Sequence, residues 1–428
     1  MKPIKHLALF ITENCNLCCE YCFASTMEKK NITFELAQRA VDFLFENSKE
    51  EVSVILSFWG GEPFLRFPMI KELVMYSLEK AKLEKKKIQF SVPTNATLLN
   101  DEILDFVQEH KIAISLSIDG KEFSQSFRKT ADGKSSFPVI LKKLEMIRQR
   151  SLNHSLFIRK TVSPSTVKFL YEDIIFFMNQ DFNNIAFSPV MEEKWSSKDL
   201  QIFEEEQFRL ADLWIKELES GNDLTFQIWD EMFSIRILHK KGDLTQKKRF
   251  FCGAGRSTFA VDIYGDIYPC HRFVFYDKSM RRQRLGSLEQ GITEKELYES
   301  YDNIDDEKLL KRTERCQGCQ YFDRCLMFCP ATNYALTNDI YKSDEKLCKF
   351  LEITEHIMDY IEEKIGREVY FKEHLNRSLM RIYQYNPLSR FGFSFWEKLN
   401  EKDLNRITQK SMEILDKIQK GNRCLEKP

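Results

Sequence analysis

The chain has 428 residues, 43% of them hydrophobic and 30% charged, enough for one large domain plus one or two smaller ones. Its 64 Lys and Arg balance 65 Asp and Glu, so no net field draws it to nucleic acid or to an anionic membrane surface. The opening MKPIKHLALFITENC loses its apolar run at Thr12, Glu13 and Asn14, too early for a signal peptide, and no later run is long enough to span a bilayer. A cytoplasmic protein is expected.

The first half alternates β-branched or aromatic runs with longer amphipathic ones, the pattern of a parallel sheet flanked by helices. The expected strands are HLALFIT from His6, VSVILSF from Val52, IQFSVP from Ile88, IAISLSI from Ile112, SLFIRKTV from Ser155 and NIAFSPV from Asn184. Thr33 and Asn100 stand where helix caps belong, and Leu36, Ala40 and Leu44 share a face of the first helix. Six such units fit a partial (β/α)6 TIM-like barrel in an α/β fold, since a complete eightfold barrel takes ~250 residues. Reactive groups then belong at the carboxyl ends of the strands.

From about Asn222 to Phe350 the alternation fades into cysteines and turn residues, with VDIYGDIYPC reading as a hairpin that turns at Gly265-Asp266. After Cys348 the chain reads as helical and charged, with EHIMDYIEEKI and the stretch from Lys402 to Gln419 as amphipathic helices around the aromatic YNPLSRFGFSFW. The expected division is therefore 1–221 for the barrel, 222–350 for the cysteine-rich auxiliary domain and 351–428 for a helical C-terminal extension.

Twelve cysteines without a secretory signal point to metal rather than disulfides. Cys15, Cys19 and Cys22 lie in the loop leaving the first strand, where three thiolates can each take one iron of a four-iron cluster and leave the fourth iron open. A structural zinc site competes, but zinc usually wants four ligands in paired short spacings. Cys18 falls between the ligands and is read as a bystander.

Further features follow the strands in order: Gly60-Gly61-Glu62-Pro63 after the second, Thr94-Asn95 at the end of the third, Ser117-Ile118-Asp119-Gly120 at the end of the fourth, then Arg128. With Tyr21 and Phe23 around Cys22, this set resembles the radical S-adenosylmethionine (SAM) superfamily over roughly residues 5 to 220. The resemblance implies a 4Fe-4S cluster on the triad and SAM on its open iron. It gives Gly60, Gly61 and Glu62 to the amino end of SAM and Ser117 and Arg128 to its ribose and carboxylate portions. Tyr21, Thr94 and Asn95 complete the expected cofactor contacts.

Cys252, Gly265, Cys270, Cys316, Cys319, Cys325, Cys329 and Cys348 match the spacing of the SPASM domain, the auxiliary-cluster domain of radical enzymes that modify peptides and proteins. The resemblance assigns Cys252, Cys270 and Cys329 to one auxiliary 4Fe-4S cluster and Cys316, Cys319, Cys325 and Cys348 to another, making three clusters in all. Seven thiols fall one short of eight. Cys424, His271, water or a substrate thiol are the candidates for the eighth ligand, the substrate thiol being favoured.

Three functions compete. The first is a maturase that forms a thioether or related crosslink in a ribosomally made, cysteine-containing peptide, with a flavodoxin or ferredoxin as electron donor. The second is an anaerobic sulfatase-maturing enzyme, which oxidises Cys or Ser to formylglycine. The third is a non-catalytic metal-binding module. Sulfatase maturases carry an acidic base after the YPC-type cysteine, whereas Cys270 here is followed by His271 and Arg272. That favours the first. His271 is a candidate proton acceptor and Arg272 a candidate for binding a peptide carboxylate or carbonyl; both are equally readable as residues that fix the hairpin. A strand beginning near residue 6 leaves no room before it for a leader-binding domain, which moves that role to 351–428 or to a separate protein.

Overall fold

A computed structural model describes residues 2–22, 24, 28–153, 155–222, 224–230, 232, 236, 252–275, 279–303, 311, 313–322, 325 and 329–365. Six parallel strands form the barrel wall: β1 (His6–Thr12), β3 (Ser53–Gly60), β4 (Lys87–Thr94), β5 (Ala113–Leu116), β7 (Phe157–Val162) and β8 (Asn184–Pro189). All six expected strands are present. Their outward faces bury Leu7, Leu56, Phe90, Ile114 and Ile158 completely or nearly so. The inward residues of β7, Phe157, Arg159 and Thr161, keep some solvent access while Ile158, Lys160 and Val162 are buried.

The helix Phe34–Asn47 begins at Thr33, whose side chain accepts from the Leu36 amide, and Asp101–Glu109 begins at Asn100, which accepts from the Ile103 amide. These caps satisfy amide donors that a helix start otherwise leaves orphaned. Ala40 and Leu44 are fully buried beneath the first helix, with Leu36 half-buried against the same core.

The sheet does not stop at the barrel, nor does it close. β9 (Thr225–Phe226) joins β8, and on the other side β10 (Thr258–Val261) pairs in parallel with β1, placing Ala8 opposite Ala260. From β10 the sheet turns antiparallel through β11 (Asp266–Tyr268), β12 (Gly286–Ser287) and β13 (Gly291–Ile292). The hairpin expected at Gly265-Asp266 joins β10 to β11, and Gly265 takes a φ of 83° at the turn. The barrel and the cysteine-rich region thus share one mixed sheet in the order β13-β12-β11-β10-β1-β3-β4-β5-β7-β8-β9.

The boundary expected between residues 350 and 351 falls inside a single helix, Glu345–Ile365. That helix packs along Ser197–Glu219: Tyr360 donates to Asp212 at 2.5 Å, His356 meets Glu204 at 2.7 Å, and Phe350 lies edge-on to Trp195 and Phe203. Arg236, buried, pairs with Glu355 at 2.5 Å and Asp359 at 2.8 Å. Phe23, Leu244 to Phe251, Lys402 to Gln419, the aromatic stretch and Cys424 lie outside the described residues.

Candidate functional site

The loop leaving β1 carries the cysteine triad. It is held from three sides, each by a feature singled out in the sequence. The first is the Gly-Gly turn after β3. Gly61 donates its amide to the Thr12 carbonyl at 3.0 Å and Glu62 donates to that of Asn14 at 2.9 Å. A Cβ on Gly60 would lie 2.0 Å from the Thr12 oxygen, and one on Gly61 would lie 2.3 Å from the Asn14 oxygen and 2.9 Å from the Cys15 Cβ. Glycine is required because the two backbones touch.

The second is the end of β4. The Glu62 carboxylate is fully buried and accepts from Phe64 N at 3.1 Å, Thr94 Oγ1 at 2.8 Å and Asn95 N at 2.7 Å. Burial pushes it up to about 7 against the opposing effect of those donors. Its side chain pins the β3 turn to β4. The Asn95 amide in turn donates to Asn16 at 2.9 Å and to Cys15 Sγ at 3.8 Å.

The third is a short antiparallel pair, β2 (Leu17–Cys19) with β6 (Arg128–Thr130), in which Cys19 lies opposite Arg128. Arg128 forks onto Asp119, with Nε at 2.9 Å from Oδ2 and Nη2 at 3.0 Å from Oδ1, and also donates to Thr161 Oγ1 at 3.2 Å. Its guanidinium sits 5.3 Å over the Tyr21 ring, and the Tyr21 hydroxyl donates to Asp119. Ser117 is half-exposed, and its hydroxyl has no partner among the described residues.

Asp119, within the Ser-Ile-Asp-Gly segment that follows β5, is the hub of this corner. Besides Tyr21 and Arg128 it accepts from the Thr161 amide at 2.9 Å, while its carbonyl accepts from Lys160. Lys160 is fully buried on the outward face of β7 and pairs at 2.8 Å with Asp173, which is also buried. A Cβ on Gly120 would strike the Asp173 carboxylate at 2.1 Å. Lys160 and Asp173 carried no motif signal. The alternation of β7 does place Lys160 on the outward face, where a lysine needs a buried partner.

The Cys22 thiol acts on both Cys15 and Cys19. Burial pushes Cys15 up to about 11, with Glu62 and Cys22 adding to the rise, and pushes Cys19 up to about 12 against the opposing charge of Arg128. Thiols buried in this way need cations to hold them as thiolates. The donor chemistry fits an iron-sulfur cluster.

Burial pushes Cys316 up to about 11, with Cys348 and Cys319 adding to the rise, and burial also raises Cys348. Cys270 and Cys329 both act on the buried Tyr301. Cys252 and Cys325 pack against the core at its margin. The His271 ring stacks on Trp59 with centroids 4.1 Å apart, and Arg272 pairs with Glu192 at 2.5 Å in the loop after β8. Trp59 and Glu192 were not foreseen, because the contacts join segments far apart in sequence.

Residues 9–166 match the Radical SAM superfamily. Among curated relatives, the serine-type anaerobic sulfatase-maturating enzyme of Bacteroides thetaiotaomicron is 25% identical over 393 residues, covering 84% of this chain and 91% of the relative. The radical SAM cyclopropyl synthase TigE of Paramaledivibacter caminithermalis is 21% identical, covering 82% and 73%. Of solved structures, native anSMEcpe with bound AdoMet and Cp18Cys peptide superposes with a TM-score of 0.68 at 22% identity, over 83% of this chain and 98% of that one. The chain is a radical SAM enzyme.

That match sets aside the reading of the cysteines as staples of a non-catalytic module. Cys15, Cys19 and Cys22 lie within the matched segment, and their donor chemistry fits the cluster such a domain would hold. Among the expected SAM contacts, the side chains of Glu62, Thr94, Asn95 and Arg128 are already committed to holding the loop. Among the described residues no helix is long and apolar enough to cross a membrane.

Proposed function

We propose that this radical SAM enzyme modifies a ribosomally made, cysteine-containing peptide, removing a hydrogen and closing a thioether or related crosslink. When bound, the cluster on Cys15, Cys19 and Cys22 together with SAM supplies a deoxyadenosyl radical able to take that hydrogen. The remaining work belongs to the polypeptide: holding the peptide at the barrel mouth, excluding water and receiving the proton lost as sulfur joins carbon, while an auxiliary cluster on the later cysteines would take the electron released as that bond forms. The seven-cysteine region is read as a SPASM domain with two auxiliary clusters, and a peptide thiol as the eighth ligand.

One observation carries the choice of reaction. Cys270, His271 and Arg272 leave a hairpin built onto the β1 edge, and His271 lies against Trp59, the residue before Gly60. Where the formylglycine reading expects a carboxylate, this chain presents a stacked imidazole and a guanidinium already paired to Glu192. The stack is also what a residue fixing the hairpin would show, so His271 is assigned first to orientation and second to proton transfer.

The formylglycine reading has its own support in the sulfatase-maturating relative, which aligns over 91% of its length. Anaerobic reconstitution, followed by incubation with SAM, a reductant, short cysteine-rich peptides encoded beside this gene and a sulfatase active-site peptide, separates the two. Crosslinking gives a product that has lost two hydrogens and kept its sulfur. Formylglycine formation from cysteine replaces sulfur with oxygen, and a product of that kind overturns the proposal.

A further inference from the structure

We infer that Asp119 is a positioning residue of the radical-generating site, the fixed carboxylate that orients the cysteine loop through Tyr21 and Arg128. The inference rests on the reading of the triad as cluster ligands. It goes beyond that reading by giving two expected SAM contacts a different task.

The argument is one of fixed and dependent parts. Asp119 sits at the carboxyl end of a barrel strand and is locked there by the Thr161 amide at 2.9 Å and by Arg128. It is buried, so each of those bonds acts without competition from water. Tyr21, which directly precedes Cys22, hangs from this carboxylate by its hydroxyl, and Arg128 lies over the Tyr21 ring. Arg128 also stands opposite Cys19 in the β2–β6 pair. Two of the three thiols are therefore each one residue or one strand pairing away from a group that Asp119 holds. Cys15 is oriented separately, by Asn95 and the Gly-Gly turn. The loop has two anchors, and Asp119 serves the half that carries Cys19 and Cys22.

A hydroxyl and a guanidinium engaged in this way are part of the frame and do not depend on a ligand for their partners. Removing the Tyr21 hydroxyl should leave the cysteines able to take up iron but loosen their grip. Displacement of reacting groups by even about 1 Å can cost about 100-fold in rate.

The test uses the full-length chain, reconstituted anaerobically with iron and sulfide, as parent, Tyr21→Phe and Asp119→Asn. Iron retention under a chelator, the low-temperature electron paramagnetic resonance spectrum with and without SAM, and the kcat and KM for SAM cleavage are measured. The expected result is faster iron loss, an altered SAM-dependent spectrum and a kcat lowered roughly 100-fold, with KM for SAM changed far less. If Asp119→Asn does not fold, Tyr21→Phe decides alone, since it removes one oxygen and no charge. Parental chelator resistance and spectra, or a raised KM with parental kcat, overturn the inference and return Tyr21 to a SAM-contacting role. A parent chain that binds no cluster and cleaves no SAM would instead sink the radical reading itself.

Discussion

The His271 imidazole lies on the Trp59 indole with ring centroids 4.1 Å apart and planes inclined by 24°. This contact ties the residue after Cys270 to the residue before Gly60. It is the place where the auxiliary cysteine hairpin and the SAM-domain turn meet. Aromatic pairs of this kind contribute about 1 kcal/mol beyond burial. A double-mutant cycle with Trp59→Leu and His271→Ala, read by denaturant unfolding, should return a coupling of about that size. Additive effects would show that the rings touch without stabilising each other.

Gly61 separates the demands of backbone conformation from those of close approach. Its missing Cβ is what lets the cysteine loop lie against the β3 turn, with Asn14 O at 2.3 Å and the Cys15 Cβ at 2.9 Å from where that atom would sit. Gly61→Ala should displace Cys15, lower the iron bound after reconstitution and cut SAM cleavage by about 100-fold. Gly133 has a φ of 80° but nothing within 4 Å of its added Cβ. Gly133→Ala should cost about 1 kcal/mol of stability and leave iron binding and cleavage intact.

Lys160 and Asp173 form a fully buried ion pair at 2.8 Å beneath the Ser117 to Gly120 turn. Removing one partner leaves a charge with no solvent, so Lys160→Met should destabilise the chain by about 3–5 kcal/mol. The double variant Lys160→Met with Asp173→Leu should recover part of that loss, because neither charge then needs solvating. Chemical denaturation of the three proteins side by side checks the ordering.

Asp262 gives a pH dependence with a definite sign. Burial pushes its carboxyl from an ordinary value of 3.8 up to about 6, although the Asp266 and Tyr264 amides, each at 2.9 Å from Oδ1, oppose the rise. The folded chain therefore holds this proton more tightly than the unfolded chain. The resulting stabilisation is fully present below 3.8 and is lost as pH rises through about 6. Asp262→Asn keeps an oxygen for the two amides and removes the titration. Its stability should fall less than the parent's across that window, measured as the denaturation midpoint at a series of pH values; parallel curves would contradict the assignment.

Much of the barrel was legible from local pattern. The six parallel strands and the caps at Thr33 and Asn100 depend on residue alternation and on single side chains near their own backbone. Cysteine spacing and the Gly-Gly turn likewise mark the radical-generating loop, because its three thiols lie within one short stretch of chain. Even the hairpin at Gly265 follows from a residue that tolerates positive φ.

Tertiary structure decided what those pieces do to one another. Nothing in Glu62 itself says that its carboxylate turns inward to Thr94 and Asn95, or that Arg128 is spent on Asp119. Nor does the hairpin announce that β10 will pair with β1 and merge two expected domains into one sheet. Such outcomes depend on which buried charges and unpaired strand edges meet after the chain has folded. Their partners lie from 9 residues away, for Arg128 and Asp119, to the opposite part of the chain, for β1 and β10. Sequence alone pointed to the radical chemistry through short-range cysteine spacing; the fold decided which of the expected contact residues hold the frame, because each buried polar group must find a partner wherever the topology places one.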